Sequence, residues 1–539
     1  MKRWWAGRGP RRAPWALGAA CLAAFAGCQS YKARPLDLPA HRAVFLARSA
    51  DSAPVRHFAA SLHPDDHPEG HAAPFDLADG VSIAEAEVIA LVYNADLHAA
   101  RQRALLCLAC AGAAGAWEDP VFGLDLARIV ESVDEPWKLG GSIGISVPIS
   151  GRLRLDKLHA EAEQAAEVMR AVQLEWRTRM DLRRAWSRWS SLAERCRVAA
   201  DDLRRLDELL TVVDLQQRAQ AIPRVEANVF RLERTTLAME HEQMQAQQRL
   251  AGLRIRRLMG LPPGAELAMT PWGVEEDRPA VMSADQLNDQ INHQLQDRIA
   301  SNNPEVAAMA AGYAQAERLL EWEVRKQYPD IELAPGLGED DGRGEVRLGL
   351  SLRLPILNAN KRAIAEAQTA RDAMRLDVEA LVERLISDLA AAEVVFESAR
   401  RQRETVETQL VPMVDEQAAM VRRIIELGEG DTLIMLESLR RERSVRQQLI
   451  ESRERVALAA IDIAELAGPD LLSLSGPQGS RTSPSGSAAN DPLMKQAAAE
   501  AGCTCPDCLA KAAAAITARG ETKVPENTGT QHKKNGEQP

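Results

Sequence analysis

The sequence predicts a mainly α-helical protein with a small β part, in which long coiled-coil helical hairpins alternate with pairs of β-strands. Three observations support this fold class. Only 4% of the residues are aromatic, while Ala, Leu, Glu, Arg and Gln dominate, a composition typical of long packed helices. Apolar residues recur at heptad spacing from Leu182 to Val213. A short pattern also occurs twice, 207 to 209 residues apart, which indicates one structural unit used twice.

The two copies of the pattern share three landmarks in the same order. The matched pairs are Asn94–Leu97 with Asn303–Val306, Asp119-Pro120 with Tyr328-Pro329, and Val147–Ile149 with Leu354–Ile356. In each copy a helix precedes the residue-proline pair, two strands follow it, and a very long helix follows the strands. We therefore assign a first repeat to residues 81–275 and a second repeat to residues 276–468.

The N-terminus resembles a bacterial lipoprotein signal over residues 1–27. Basic residues precede an apolar stretch from Trp15 to Ala26, which is shorter than the roughly 20 residues needed to span a bilayer. The stretch ends in Phe25-Ala-Gly-Cys28, and the resemblance implies that Cys28 is diacylated and becomes the mature N-terminus. Gln29 favours the outer membrane, because Asp at this position is the usual signal for retention in the inner membrane. The alternative is a soluble secreted protein in which Cys28 is incidental.

Removal of the signal changes the net charge and limits the possible partners. The signal contains five basic residues and no acidic ones, so the net charge moves from −11 to −16. This acidity argues against nucleic acid as a partner. No later segment contains 18 or more uncharged apolar residues, so insertion into a membrane has to use β-strands.

The segments that flank the repeats show no helical or strand periodicity. Residues 28–80 are rich in Pro, His, Asp and Ala, and we expect an extended tether there. Residues 469–539 are rich in Ser, Gly, Pro and Ala, and we expect a disordered tail. Capping boxes at Ser82–Glu85 and Ser283–Gln286 mark where the helices of each repeat begin.

Each repeat is predicted to contain a short helix, two strands, a long helix and a return helix. In the first repeat the helices run from Asp96 to Glu118, from Gly151 to about Ala221, and from Arg224 to Met259. In the second repeat they run from Glu305 to Gln327, from Asn360 to about Leu427, and from Asp431 to about Ala467. A helix of 65–70 residues is about 100 Å long. The short and return helices, stacked end to end, can therefore pair with the long helix along its length.

The strand candidates alternate between apolar and polar residues, most clearly in Ser142–Ile149 and Glu345–Leu354. This alternation predicts strands of a membrane barrel with a wet lumen. The residues predicted to face lipid are Ile143, Ile145, Val147, Val346, Leu348, Leu350 and Leu352. The residues predicted to face the lumen are Arg347, Ser351 and Arg353. The alternative is a half-buried strand of a soluble sheet, but the chain offers no second sheet to cover it.

Residues 81–468 resemble the TolC-type outer-membrane efflux family. The second repeat carries the most specific part of the resemblance. There, Ala314–Pro329 followed by Ile331-Glu-Leu333 is similar to the family's junction of helix, Tyr-Pro and strand. Leu348–Ile356 is similar to its strand that runs into proline. In the first repeat, Ser82–Arg101 is similar to the family's opening helix, and Leu253–Leu261 to the helix that closes the repeat.

The resemblance implies a homotrimer in which four strands per chain contribute to a trimeric 12-stranded outer-membrane β-barrel. The helices continue as a hollow periplasmic tunnel. The implied partners are a periplasmic adaptor protein at the hairpin tips and an inner-membrane pump of the resistance-nodulation-division type. A trimer also solves a physical problem, because four strands alone leave open edges that lipid does not tolerate.

We found no catalytic motif and no cofactor site in the sequence, so the expected role is transport and not catalysis. The resemblance implies passive export of small molecules or metal ions. Two alternatives remain at this point. One is the outer component of a type I protein secretion system, which resembles the same fold. The other is a periplasmic coiled-coil lipoprotein scaffold that never inserts a barrel.

The second hairpin tip contains a candidate gate. Glu426, Glu429 and Asp431 would ring the narrow periplasmic entrance of a trimer and favour cations. The simpler interpretation is a solvated helix end with Asp431 as its N-cap.

Three further groups are candidate metal ligands. Cys503, Cys505 and Cys508 in the tail suit a soft metal or a disulfide. Cys107 and Cys110 are one helical turn apart, although they are better explained as small buried residues. The tether contains imidazole and carboxylate groups that suit divalent metals but match no closed site: His41, His57, His63, His67, His71, Asp65, Asp66 and Glu69.

Overall fold

The computed structural model describes residues 31–61, 75–128, 137–271, 299–340, 343–352, 354–426 and 432–469. The chain forms two compact units, Met1–Ala47 and Arg48–Pro539. In the described part of the first unit, helix α1 spans Leu38–Leu46. The Asp37 carboxylate caps this helix by accepting a 2.9 Å hydrogen bond from the Ala40 N–H.

The second unit contains both repeats. Its helices are α2 Ala53–Ser61, α3 Ile83–Tyr93, α4 Ala95–Ala113, α5 Arg152–Arg218, α6 Arg224–Met259, α7 Pro304–Arg325, α8 Lys361–Thr405, α9 Val411–Glu426 and α10 Thr432–Ala467. Its strands are β1 Val121–Arg128, β2 Trp137–Val147, β3 Ile331–Asp340 and β4 Arg343–Leu352. Among the described residues, no helix combines the length and the hydropathy that crossing a bilayer requires.

The 67-residue helix α5 is the central helix of the second unit. It packs against α4 and α6 of its own repeat and against α7 and α10 of the second repeat. Leu182, Ala185 and Val213 of the predicted heptad seam are buried there. Trp186, outside that seam, is also buried, and it joins Ile89 and residues of α6 in one core cluster. The seam was therefore predicted correctly but is narrower than the buried face.

An asparagine joins the short helix to the return helix in each repeat. The Asn94 side-chain amide donates a 2.8 Å hydrogen bond to the Leu258 carbonyl in the last turn of α6, while its Oδ1 accepts from two N–H groups that begin α4. Asn303 does the same between the Leu466 carbonyl (2.8 Å) and the start of α7. The duplicated asparagines thus mark where the two shorter helices of each repeat meet, which agrees with the expected end-to-end stacking.

Glycines close the same two joints. Gly260 and Gly468 follow the return helices with φ of 73° and 88°. A Cβ at Gly260 would overlap the Tyr93 carbonyl, and one at Gly468 would lie 2.6 Å from the Asn302 carbonyl oxygen. Only glycine combines this backbone conformation with so close an approach.

The four strands form one antiparallel sheet in the order β1-β2-β3-β4. Each repeat contributes one pair, and β2 pairs with β3 to connect the two repeats. The register is set by pairs such as Phe122 with Ile143 and Leu333 with Leu350. β1 and β4 are the edges of this sheet.

The prediction of an extended tether was wrong for residues 38–46 and 53–61, which form α1 and α2. Val55 and Phe58 are buried in the core beside Ile89. Their spacing of three residues is helical, but the surrounding proline and histidine hid it. Residues 62–74 of the predicted tether lie outside the described residues.

The first short helix ends earlier than predicted. α4 stops at Ala113, and Gly115 follows with φ of 75°. The Gly115 N–H donates a 2.9 Å hydrogen bond to the Asp156 carboxylate at the start of α5. The turn is therefore made by glycine, several residues before the Asp119-Pro120 pair that we expected to end the helix.

The long helix of the second repeat is interrupted, although the sequence predicted a continuous one. A π-helical turn at Val406–Leu410 separates α8 from α9, and the Val411 N–H bonds back to the Val406 carbonyl. Pro412 explains the interruption, because proline has no N–H for the carbonyl of residue 408 and its ring collides with that carbonyl. A wider turn relieves this clash.

Candidate functional site

The four-stranded sheet has one apolar face and one polar face. Residues directly opposite each other on neighbouring strands share a face, so the register assigns every position. The apolar face includes Phe122, Leu124, Leu126, Leu139, Ile143, Ile145, Val147, Ile331, Leu333, Leu337, Val346, Leu348, Leu350 and Leu352. The polar face includes Gly123, Asp125, Lys138, Gly140, Ser142, Ser146, Glu332, Gly336, Gly338, Glu345, Arg347 and Ser351.

The structure places the predicted strand residues on two separate faces. All seven residues predicted to face lipid lie on the apolar face, and Arg347 and Ser351 lie on the polar face. Arg353 lies outside the described residues. Val346 and Leu348 are 81% and 76% exposed. Such exposure does not fit the half-buried strand of a soluble sheet.

The long helix α5 is tied to the base of the sheet by an arginine. Arg152, its first residue, forms ion pairs with Glu118 (2.7 Å) before β1 and with Asp330 (2.8 Å) before β3. These contacts join the two repeats where the helices give way to the strands. Glu118 and Asp330, which lie beside Asp119-Pro120 and Pro329, therefore fix the sheet to the start of α5.

The first helix joint contains an arginine that the sequence did not reveal. Arg48 donates hydrogen bonds to the Tyr93 carbonyl (3.2 Å) and the Gly260 carbonyl (2.9 Å), which lie at the C-terminal ends of α3 and α6. Its guanidinium also lies 5.1 Å from the centre of the Tyr93 ring. A cation at a helix C-terminus is stabilised by the helix dipole and satisfies carbonyls that have no partner in the helix. Arg48 thus fastens the segment before α2 to the first repeat.

A buried carboxylate links the return helix α6 of the first repeat to the return helix α10 of the second repeat. Glu233 in α6 accepts hydrogen bonds from Arg440 (2.9 Å) and Arg443 (2.8 Å) in α10. Burial by itself raises the pKa of Glu233, but the two guanidinium groups outweigh it and hold the pKa below its ordinary value of 4.5. The pair therefore works as an ionised contact between the first and second repeats.

A second buried carboxylate lies close to the first and behaves in the opposite way. Burial raises the pKa of Asp202 in α5 above its ordinary value of 3.8, although Arg205 and Arg443 oppose this. Its Oδ2 has no hydrogen-bond partner among the described residues, and a cavity of about 10 Å³ separates it from Glu233. The burial of Asp202 could have been suspected from the sequence, since this residue adjoins the apolar seam at Leu203, but nothing in the sequence indicated that Glu233 is buried.

The predicted gate lies mostly outside the described residues. Glu426 is the last residue of α9, and residues 427–431, which include Glu429 and Asp431, are not described. The first tip is described: α5 ends at Arg218, and α6 begins after Pro223. The gate therefore stays a prediction.

The helical thiols are reduced. Cys107 is half-buried and Cys110 is exposed, so the pair is not the buried one that the simpler interpretation predicted. Burial, followed by the charges of Glu163 and Glu167, raises the pKa of Cys107 above its ordinary value of 9.0. Within the described part of the chain, no three His, Cys, Asp or Glu side chains are arranged to hold a metal ion. The tail cysteines and the tether residues at 63–71 lie outside that part.

Comparison with known proteins adds evidence at the level of structure. No protein-family model and no curated protein sequence matches the chain. The solved outer-membrane channel OprN matches with 17% identity and a TM-score of 0.61, over 72% of this chain and 90% of that one. CusC, a protein that forms a transmembrane channel, matches with 14% identity and a TM-score of 0.59, over 72% of this chain and 92% of that one.

A third example extends the likeness to another organism. The CmeC outer-membrane channel of Campylobacter jejuni matches with 12% identity and a TM-score of 0.59, over 72% of this chain and 86% of that one. At these identities the likeness shows the fold. The fold that matches is mainly helical, with long helices and a four-stranded antiparallel sheet in this chain. The chain therefore has the fold of the TolC-type outer-membrane channels.

Proposed function

We propose that the chain is the outer-membrane channel subunit of a tripartite efflux system. Three copies conduct small molecules or metal ions passively to the exterior. The three copies receive these small molecules or metal ions from a periplasmic adaptor protein and an inner-membrane pump of the resistance-nodulation-division type. The strands of the three copies close a twelve-stranded barrel in the outer membrane, and the helices continue as a tunnel into the periplasm.

The observation that carries this proposal is the sheet. Its apolar face is exposed, its opposite face is polar or small, and β1 and β4 are edges. Apolar surface and unpaired strand edges are both unfavourable in water. When β4 of one copy pairs with β1 of the next, the backbone groups at both edges are hydrogen-bonded, and contact with lipid removes the apolar face from water. The polar face then lines a wet lumen.

Exposed apolar residues at intervals of seven on α6 and α9 support a homotrimer. On α6, the exposed apolar residues Val225, Leu232 and Met239 follow one another at intervals of seven. On α9, Met413 and Met420 are exposed at the same interval. A seven-residue interval is typical of a coiled-coil seam that awaits a partner helix. We infer that α6 of one copy packs against α8 and α9 of the next.

The anchor and the gate belong to the proposal as well. Diacylation of Cys28 fixes the mature N-terminus to the outer membrane, and Glu426, Glu429 and Asp431 form a cation-favouring ring at the periplasmic entrance. Labelling with radioactive palmitate tests the anchor, since incorporation should be lost in Cys28→Ser and kept in Cys196→Ser.

Reconstitution in planar bilayers tests the channel. Protein purified from outer-membrane fractions should migrate as a trimer that heat dissociates and should show single-channel conductance. Absence of both properties supports the scaffold alternative. A pull-down from cross-linked cells should then recover an adaptor and a resistance-nodulation-division pump. Recovery of an ATP-binding exporter instead supports the type I secretion alternative.

A further inference from the structure

The polar face of the sheet holds a charged side chain that lies close to the backbone. Arg347 in β4 donates two hydrogen bonds to Glu345 Oε2, from Nε at 3.0 Å and from Nη2 at 2.8 Å. The two side chains are 46% and 43% exposed. They are therefore accessible to solvent while their geometry is fixed by the pair.

The guanidinium lies over two glycines. One row of the sheet runs from Glu345 in β4 through Gly338 and Gly140 to Asp125 in β1. A Cβ at Gly338 would lie 3.6 Å from Cζ and Nη2 of Arg347, and a Cβ at Gly140 would lie 3.7 Å from its Nη1. The same position at Gly140 is 3.7 Å from Asp125 Cβ. The guanidinium consequently extends across β3 and β2 towards Asp125 and does not project away from the sheet.

The charges of this group do not cancel. Two carboxylates and one guanidinium leave a net charge of −1 in each chain. Lys138 and Glu332, the other described charged side chains of the polar face, have opposite signs and cancel each other, so the described polar face of each chain also carries −1. The row is nearer to the ends of β1 and β4 that are remote from the helices, at Arg128 and Arg343. In a trimer, three such rows join into one belt in the outer part of the lumen.

We propose that Asp125, Glu345 and Arg347 form a second ring, in the outer part of the lumen, that shifts the ion preference of the channel further towards cations. This inference rests on the proposed function. Three copies give the ring a net charge of −3, and rings of carboxylates in a pore favour cations. Arg347 moderates the field of the two carboxylates, and its position over the glycines keeps the lumen open.

The reversal potential of reconstituted channels in a KCl gradient tests the ring. Cation preference should rise in Arg347→Gln, where the ring carries −6, and fall in Asp125→Asn and in Glu345→Gln, where it carries zero. The double variant Asp125→Asn with Glu345→Gln carries +3, and its cation preference should be the lowest of the series. Arg347→Lys keeps the charge and should keep the wild-type value. A reversal potential that stays constant across this series overturns the inference.

The glycines allow a second test that does not alter charge. Gly338→Val should displace the guanidinium into the lumen and reduce the single-channel conductance. Gly344→Val is the matched control, because a Cβ at Gly344 meets nothing within 4 Å. Equal conductance in the two variants contradicts the flat placement of Arg347.

The two proposals fail in different ways. If the wild-type protein forms no conducting channel, the proposed function is wrong and the ring falls with it. If the wild-type protein conducts but the charge series has no effect, the ring alone is wrong. Heat-dissociable trimers on gels show that each variant has assembled, so a change in selectivity is read only from folded channels.

Discussion

Two buried carboxylates respond to protons in opposite directions although they lie beside the same cavity. Glu233 is held ionised by Arg440 and Arg443, so its folded-state pKa is lowered. Asp202 is buried without a hydrogen bond to Oδ2, so its folded-state pKa is raised. The first group stabilises the folded chain when ionised, and the second destabilises it when ionised. Neither effect was predictable from sequence, because each depends on residues more than 200 positions away.

Replacement of Glu233 by Gln should destabilise the helical part by roughly 1–2 kcal/mol at pH 7, because the half-buried Arg443 and the exposed Arg440 lose the carboxylate that pairs with them. The stabilisation by Glu233 is complete above pH 4.5 and is lost as the pH falls through its lowered folded-state pKa. The difference from wild type should therefore shrink in acid. Thermal unfolding of the detergent-solubilised protein between pH 7 and about pH 2.5 measures it, since the loss begins only below pH 4.5. A deficit that is independent of pH would contradict the ionised pair.

Replacement of Asp202 by Asn should have the opposite effect and raise the unfolding midpoint at pH 7. The penalty from Asp202 is absent below pH 3.8 and develops as the pH rises through the raised folded-state pKa. The gain should thus diminish when the same unfolding experiment is repeated in acid. Asp201→Asn is the matched control, since Asp201 is a partly exposed neighbour paired with Arg204. A loss of stability in Asp202→Asn would show that the surrounding arginines outweigh burial.

Leu350 and Ser351 are adjacent in β4 but lie on opposite faces of the sheet. Leu350→Arg should strongly impair assembly, because a cation on a lipid-facing strand position costs about 2–4 kcal/mol at mid-bilayer. Ser351→Arg should be milder, since it adds the cation to the polar face. The fraction of heat-dissociable trimer in outer-membrane extracts measures both. Equal effects contradict the assigned faces.

At the scale of elements, the spacing of apolar residues and the positions of proline and glycine predicted most of the architecture. α6 has the predicted bounds, Arg224 and Met259, because Pro223 and Gly260 end any alternative helix there. The strict alternation in β4 also predicted its faces. The sequence was less informative where one residue overrode the pattern, as Gly115 does by ending α4 and Pro412 does by widening one turn. α2 was missed because its three buried residues are too few to establish a period.

The two hydrogen-bonding roles of each joint asparagine, as cap of the short helix and as donor to the return helix, should be separable by substitution. Asn94→Asp keeps the oxygen that caps α4 but loses the amide that donates to Leu258, whereas Asn94→Ala loses both. We expect Asn94→Ala to destabilise by about 1–2 kcal/mol more than a solvent-exposed control such as Asn228→Ala, with Asn94→Asp in between. Denaturant unfolding measures the order. Asn303 should repeat it, and equal values for Asp and Ala would show that the cap alone matters.

For the whole molecule, the proposed barrel requires that the edge strands β1 and β4 pair between copies. β1 and β4 of one chain are separated by three strand spacings, or about 14 Å. A disulfide requires Cα atoms within about 7 Å. Cysteines on these two strands can therefore join only when they belong to different copies. The same reasoning explains why the sequence could predict four strands but not which edges meet, since pairing between copies leaves no trace in the order of one chain.

Cysteines on β1 and β4 should consequently form disulfides between subunits. With the native thiols after Cys28 replaced by Ser, Leu348→Cys is combined in turn with Phe122→Cys, Leu124→Cys and Leu126→Cys. At least one combination should give covalent trimers on non-reducing gels after mild oxidation. Leu333→Cys with Leu350→Cys is the control, because these residues are opposite each other within one chain and should give only monomers. Failure of every β1 position would contradict closure through these edges.

Arg48 has a consequence for the order of folding after export. It binds the carbonyl of Gly260, which lies 212 positions later in the chain. In the export that the proposed function implies, the N-terminus emerges first, so Val55 and Phe58 emerge well before the helix that completes their core. Docking of this early segment is therefore a late event, which waits for the whole first repeat. Until then, the apolar side chains of Val55 and Phe58 lack the core that buries them in the folded chain.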